Sequence, residues 1–524
     1  VRRRGERSRG SAWLDVLLAV LAVAAIGVAV WRLEAATDGL VVAETVVGTT
    51  PVTVFRPDDG VRRPAVVIAH GFAGSQQLMH PFATTLARAG YVAVTFDFLG
   101  HGRNPTPLAG DVEDVGGATR LLVAQTHDVA RWARGLPWTD RRLALLGHSM
   151  ASDVVIRAAQ ADPGVAATVA VSMFAPSLEP DSPRNLLVVV GGLEPAMLKD
   201  EGLRAVGMAA DGEVREGVTY GDVAAGTARR LVYSDGVEHI GVLYGSEGLA
   251  AARDWLDAVF GIEGAAVAGG GFVDARGPWI LLLLAGLVLL ARPLTRLLPT
   301  AADPPAGAGL GWGWVLGIGV AGAVLTPLIL WPMPTALLPV PVGGYLALHF
   351  GVYGLITLAG LVLAGMSRGR RDREAGRAFV PALALAAILV AAYGVGALGL
   401  AIDRYAANWV PVEVRYGIMA ALLAGILPWA LADEWLTRRP RAPLGAYAVT
   451  KVFFLLSLVG AIALQPRELF FLAIILPVAA AFFLIYGLIG GWAAKRTGHP
   501  FAGAIPTAVA FAWANGVVFP VLAG

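Results

Sequence analysis

Nine long apolar runs, one near the start and eight in the second half, bracket a stretch of ordinary polarity. The first covers Trp13 to Trp31 and is broken only by Asp15. Residues 33–275 then carry the charge of a water-soluble domain. From Pro278 the runs return, at roughly 278–298, 309–331, 343–366, 378–402, 414–436, 446–464, 469–492 and 502–522. Each is about 19 to 24 residues, and at about 1.5 Å per residue such a helix crosses the roughly 30 Å of a bilayer's hydrocarbon. The chain of 524 residues is only 15% charged, against about 25% in soluble domains. The pattern predicts one membrane span, a soluble domain, then eight spans.

Basic residues set the expected orientation. Arg2, Arg3, Arg4, Arg7 and Arg9 precede the first run. Arg368, Arg370, Arg371, Arg373 and Arg377 lie between the fourth and fifth, Arg438, Arg439 and Arg441 between the sixth and seventh, and Lys495 and Arg496 between the last two. The alternate loops hold little beyond Arg404, Arg415 and Arg467. Positive charge stays on the cytoplasmic side, so residues 1–32 read as a cytoplasmic basic tail with a signal-anchor helix. Residues 33–262 read as an extracytoplasmic domain, 263–277 as a linker and 278–524 as a multi-pass domain of the cell membrane. The first run exceeds a signal peptide's apolar core, and Trp31-Arg32-Leu33-Glu34 offers no small-residue cleavage site. Arg292 and Arg296 fall inside the second run, from which long side chains reach the cytoplasmic interface.

Between 41 and 260, β-branched apolar runs alternate with amphipathic segments of helix length, the pattern of a mostly parallel sheet covered on both faces. Eight strands are predicted: 41–47, 52–56, 65–69, 91–96, 143–146, 167–171, 186–190 and 230–233. Helices are predicted near 76–89, 119–134, 150–161 and 246–260. Chemistry-bearing residues fall where strands end. Gly147-His148-Ser149-Met150-Ala151 follows a strand and opens a helix, a variant of the G-x-S-x-G elbow that exposes a serine hydroxyl above a sheet. His70-Gly71-Phe72-Ala73-Gly74-Ser75 follows an earlier strand, so the backbone N–H groups of Phe72 and Met150 are candidates to face a developing oxyanion. Glu194 comes just past a late strand in Gly191-Gly192-Leu193-Glu194, and His239 closes Ser234-Asp235-Gly236-Val237-Glu238-His239 before the last helix. Nucleophile, acid, histidine is the chain order expected for this arrangement.

Across nearly all of 41–260 the chain resembles the α/β-hydrolase superfamily, and Asp97-Phe-Leu-Gly100-His101-Gly102 is similar to that family's segment after its fourth strand. The resemblance implies an α/β-hydrolase fold, here a mostly parallel eight-stranded sheet with flanking helices, joined to a polytopic α-helical membrane domain. It also implies that Ser149 is the nucleophile, His239 its general base and Glu194 the acid that orients His239. Glu179 and Asp181, after the preceding strand, are rivals for the acid. Asp97, His101 and His70 read as loop and packing residues, as do His148 beside the nucleophile and the more distant His80 and His127. Too few residues follow the sixth strand for a large lid, although 195–228 is long enough for a small helical cover.

In the second half, Asp433-Glu434-Trp-Leu-Thr-Arg438 resembles the E-E-x-x-x-R motif of the CAAX-protease and bacteriocin-processing intramembrane peptidases. Tyr486 to Asn515 is similar to the same family's C-terminal region. No histidine lies near Phe453 and Phe454, and the final motif reads Phe511-Ala-Trp-Ala-Asn515. The likeness is therefore that of a degenerate relative, or chance, without the histidines that activate water. Asp433 and Glu434 are expected near the interface, with Arg438 one turn away, and His349 is expected as a helix–helix contact.

The absence of cysteine excludes a thiol nucleophile and cysteine-ligated metals. A net charge of +2 makes no case for nucleic acid. No Walker loop or dinucleotide fingerprint is present, because Gly269-Gly270-Gly271 lacks a strand–helix context. No metal and no cofactor are expected. The expected function is a membrane-anchored, extracytoplasmic serine hydrolase acting on an ester or acyl substrate, membrane lipids included, through an acyl-enzyme on Ser149. Acyl transfer or peptide cleavage by the same triad is an alternative. Another is transport or lipid handling by the eight-span half, with the hydrolase domain as an accessory.

Overall fold

A computed structural model describes residues 2–110, 115–262, 271–367 and 378–523. The linker residues 263–270 and the basic stretch from Arg368 to Arg377 lie outside the described residues. The chain forms two compact units. One, the sheet unit, comprises residues 29–281, 403–412 and 518–524; the other, the helical unit, comprises 1–28, 282–402 and 413–517. The apolar pattern assigned 403–412 and 518–524 to the membrane half, yet both segments belong with the sheet.

The chain enters through helix α1 (Arg2–Glu34) and then builds β1 (Leu40–Val47), β2 (Thr50–Pro57), β3 (Arg63–Ala69) and β4 (Val92–Phe96). β5 (Thr139–His148), β6 (Val165–Val171), β7 (Leu186–Gly191), β8 (Thr219–Tyr220) and β9 (Arg229–Ser234) complete one sheet, in the order β1-β2-β4-β3-β5-β6-β7-β9-β8. The six strands from β4 to β9 in that order pair parallel; β1, β2 and the edge strand β8 pair antiparallel. The eight expected strands are present. The ninth, β8, is two residues long and too short to leave a periodic signal.

Parallel strands need crossovers; α2 (His80–Arg88), α3 (Arg120–Arg134), α4 (Met150–Ala161) and α5 (Ala196–Gly207) lie in them, and α6 (Ser246–Phe260) follows the last strand. Helices on both faces bury the central strands twice over, which is why they read as unbroken apolar runs such as Val66-Val67-Ile68-Ala69. Phe82, Leu86, Trp255 and Leu256 of α2 and α6 fill one face; Val129 and Ala133 of α3 and Val154 and Val155 of α4 fill the other. Helix α5 packs through Leu198, Ala205 and Val206 onto Val188, Val190 and Leu231. It is thus a layer of the sheet, and not the cover that 195–228 offered in sequence.

Nine described helices are long and apolar enough to cross a membrane: Trp13–Thr37, Gly277–Thr295, Trp312–Leu330, Gly343–Ser367, Val380–Tyr405, Glu413–Thr437, Ala446–Leu464, Phe470–Thr497 and Phe501–Val518. Small residues let the third and fifth of the C-terminal eight approach closely. A Cβ on Gly425 would collide with the Ala347 carbonyl oxygen, and one on Gly354 with the Trp429 backbone, the packing that helices use where lipid offers no hydrophobic drive. Asp15, the acid that interrupts the first run, pairs with Arg296 at 3.0 Å and Arg292 at 3.6 Å. The two irregularities in these apolar runs therefore compensate each other.

Candidate active site

β5 delivers Ser149 at its carboxyl end, in the sharp turn before α4. Ser149 has φ 54° and ψ −120°, a conformation that costs an L-residue energy and persists only where its surroundings impose it. Here the Ser149 N–H donates to the Val171 carbonyl at 2.8 Å, tying the turn to β6. The turn also requires Gly147, because a Cβ there would run into the Ala151 carbonyl oxygen. Alanine at 151, where the motif usually has glycine, is fully buried in this contact.

The loop after β9 brings His239 to Ser149. The Ser149 hydroxyl donates to His239 Nε2 at 2.9 Å, and Nδ1–H donates to Glu194 Oε1 at 2.5 Å. These two bonds fix the tautomer: the proton resides on Nδ1 and Nε2 is left as an acceptor. Glu194, just past β7, has a side chain with no exposure to solvent, while that of His239 is 28% exposed. The second Glu194 oxygen accepts the Gly191 N–H at 2.8 Å, so the carboxylate is held at both ends. Neither rival occupies this place. The turn carrying Glu179 and Asp181 is held instead by buried Arg229, whose guanidinium donates to the Pro180 carbonyl at 2.7 Å. Burial pushes that guanidinium down to about 10.

Gly71 places the loop after β3 against Ser149, since a Cβ at Gly71 would lie 3.1 Å from the Ser149 Cβ. Phe72 follows Gly71 in that loop and Met150 follows Ser149 at the start of α4, so each expected oxyanion donor is the chain neighbour of a residue in this contact. The neighbouring histidines are structural. His148 is buried and donates through Nε2 to the His239 carbonyl at 2.9 Å. Burial, with His239 nearby, pushes it down to about 3, so it is neutral. His70 donates from Nδ1 to the Gly71 carbonyl at 2.8 Å and accepts the Phe98 N–H at Nε2; burial lowers its pKa as well. Asp97 is a buried loop anchor, accepting from the backbone of Gln76 at 2.9 Å and of Arg103 at 3.0 Å. His101 donates to the Leu99 carbonyl at 2.9 Å.

In the helical unit, Asp433 and Glu434 are buried among protein side chains. Glu434 takes a two-pronged ion pair from Arg438, and Asp433 is paired with Lys451 of the neighbouring helix. The Tyr447 ring lies under both cations, 4.1 Å from the Arg438 guanidinium and 4.0 Å from the Lys451 ammonium. The sequence reading missed Lys451; a single lysine inside an apolar run, facing an acid pair in another, is the signal that could have revealed it. His349 packs against Tyr345, Tyr353 and Phe454, a helix contact as expected. Among the described residues no three His, Asp or Glu side chains converge as a metal site.

The match to a known family falls within the sheet unit. Residues 60–202 match the family model "Hydrolase_4: Serine aminopeptidase, S33". Two uncharacterised 31.7 kDa Escherichia coli proteins are 32% and 31% identical over 125 residues, which is 23% of this chain and 40% of theirs. The chain thus spans less than half the length of these relatives. Among solved structures, a dienelactone hydrolase from Anabaena variabilis is 19% identical over 42% of this chain and 96% of its own, with a TM-score of 0.31. A hypothetical protein from Pseudomonas aeruginosa is 13% identical over 39% of this chain and 89% of its own, with a TM-score of 0.30. By the topology of its sheet, and with residues 60–202 matching that family model, the sheet unit has an α/β-hydrolase fold.

Proposed function

We propose that the protein is a membrane-anchored, extracytoplasmic serine hydrolase that cleaves carboxylic esters, acyl lipids among them, through an acyl-enzyme on Ser149. The observation that carries this reading is the continuous Ser149–His239–Glu194 hydrogen-bond chain. His239 Nε2 takes the hydroxyl proton as Ser149 Oγ attacks the ester carbonyl, and Glu194 stabilises the imidazolium that forms. The Phe72 and Met150 N–H groups receive the developing oxyanion. Collapse expels the alcohol, which leaves with the proton from His239. Water, deprotonated by His239, then attacks the acyl-enzyme and releases the acid. Extracytoplasmic placement rests on the arginine distribution, and anchoring on the nine apolar helices.

The serine aminopeptidase description of the matched family model favours a second substrate class, peptides with an unblocked N-terminus, for the same triad. The test is fluorophosphonate labelling of purified, detergent-solubilised protein, followed by p-nitrophenyl esters, a diacyl lipid and aminoacyl anilides as substrates. Labelling that vanishes in Ser149→Ala and His239→Ala, with ester turnover, supports the reading. Turnover of anilides alone moves the protein to the peptidases. Folded protein that takes no label overturns both.

A further inference from the structure

The segment Asp403–Val412 follows the apolar helix Val380–Tyr405 in the chain, yet it is part of the sheet unit. Its contacts converge on the loop that carries Phe72. The Asn408 N–H donates to the hydroxyl of buried Ser75 at 2.9 Å. Arg103 Nη2 donates to Asp403 Oδ2 at 2.6 Å, and Arg103 Nε to Asn408 Oδ1 at 3.3 Å. The Asp403 side chain is only 13% exposed, and its other oxygen accepts the N–H groups of Trp409 and Val410 at 2.8 and 3.2 Å. It thereby closes the 403–410 turn on itself. The Arg103 N–H donates to Asp97, and the other Asp97 oxygen accepts the Gln76 N–H. Ser75 and Gln76 are therefore gripped by two routes, one direct from Asn408 and one from Asp403 through Arg103 and Asp97.

A second segment that follows an apolar helix adds to the grip. Val521 donates its N–H to the Gly100 carbonyl at 2.9 Å and accepts from the Leu108 N–H at 2.8 Å, which fixes the 100–108 loop. Phe72 lies only three residues before Ser75. An oxyanion donor must be held to within about 0.5 Å of its productive position, and a misplacement of about 1 Å can cost about 100-fold in rate.

We propose that Asp403 and Asn408, acting with Arg103 and Ser75, are positioning residues for the Phe72 N–H, so that a segment leaving a membrane-span-length helix sets the turnover of the hydrolase site. This inference rests on the proposed role of Ser149. None of these residues touches the reacting atoms, so loosening them should weaken transition-state stabilisation while leaving ground-state binding and the His239–Glu194 pair as they are.

The experiment uses full-length protein in detergent, with kcat expressed per active site titrated by fluorophosphonate, so that unfolded molecules are not counted. Asp403→Ala and Ser75→Ala should each lower kcat for a p-nitrophenyl ester about tenfold, with KM within about twofold and the apparent pKa of the kcat/KM profile unmoved. Ser75→Thr, which keeps the hydroxyl, and Asp403→Asn, which keeps an acceptor for Trp409 and Val410, should recover most of the loss. Unchanged kcat in both alanine variants overturns the proposal, as does a loss that appears in KM or in the pH profile. Wild-type protein without Ser149 label fails at the earlier step, and the reading of the triad falls with it.

Discussion

The sheet unit and the helical unit each bury a cluster of charged and polar groups, built from similar chemical parts. In the sheet unit a carboxylate, an imidazole and a hydroxyl form a line from Glu194 through His239 to Ser149, with the Glu194 side chain shut off from solvent and that of His239 partly open to it. In the helical unit two carboxylates face two cations around one tyrosine ring, and all four charged side chains are buried. The difference is one of balance. Asp433 and Glu434 each have a full positive charge of their own, leaving no basic lone pair to take a proton. Glu194 faces an imidazole instead, and in the proposed reaction its charge is answered when His239 takes the serine proton. On the proposed reading, the first cluster does chemistry because one partner is missing until the reaction supplies it, and the second, complete at rest, holds helices together.

The largest expected effect tests the first half of that comparison. Ser149→Ala should reduce ester turnover by about 10⁴-fold or more, whereas Glu434→Gln should leave kcat within about twofold. Steady-state rates for both variants, each normalised to folded protein, check it. A Glu434→Gln variant that keeps its Ser149 label but loses turnover would show that the buried ion pairs belong to the reaction.

The next effect tests the second half. Removing one partner of a buried pair leaves an uncompensated charge, at a cost of about 3–5 kcal/mol. Lys451→Met should therefore lower the midpoint of thermal denaturation sharply in detergent. The double variant Lys451→Met with Asp433→Leu should return much of the loss, since an apolar pair needs no compensation. Equal destabilisation in the single and double variants would mean that the pair is not what stabilises this contact.

The three residues of the proposed triad were legible in sequence because each follows a strand within a short motif. Ser149 lies in a small-residue elbow, and Glu194 and His239 follow later strands in the right order. The Gly191-x-x-Glu194 spacing favours Glu194 over Glu179 and Asp181 in the sequence alone; the distances add its bond to His239 and the buried Arg229 that holds the rival turn elsewhere. The pairing of Asp433 with Lys451 was not legible because the lysine lies 18 positions away on a different helix. Hydropathy averages away a single lysine in an apolar run. Position 408 was invisible for another reason: its contact with Ser75 is made by a backbone N–H, 333 residues away in the chain, and backbone donors carry no sequence signature.

A smaller effect concerns the histidine beside the nucleophile. His148 titrates near 6.5 when unfolded and is pushed down to about 3 when folded. Between those values the unfolded chain binds a proton that the folded chain does not, so stability is complete above about pH 6.5 and falls with pH until about 3. By linkage the loss from this residue at pH 5 is about 2 kcal/mol, and buried His70, also pushed down, acts in the same direction. Thermal denaturation at pH 7.5 and pH 5 measures it. His148→Asn should flatten part of the slope, and an unchanged slope would place the pH sensitivity in other groups.

The smallest effect sharpens the contrast between complete and incomplete clusters. Asp15 lies in an apolar run and pairs with Arg292 and Arg296, as Asp433 pairs with Lys451, but its partners are partly exposed, with Arg296 half open. An exposed cation keeps most of its hydration whether or not its acid is present, so such a pair contributes up to about 1 kcal/mol. Asp15→Asn should therefore shift the denaturation midpoint far less than Lys451→Met, although each removes one charge from a membrane-span-length helix. Added salt should narrow the Asp15→Asn difference further, because exposed pairs are screened and buried ones are not. If Asp15→Asn proved as damaging as Lys451→Met, burial would not be what separates the two pairs. The first apolar run would then need its acid for a reason other than neutralising two arginines.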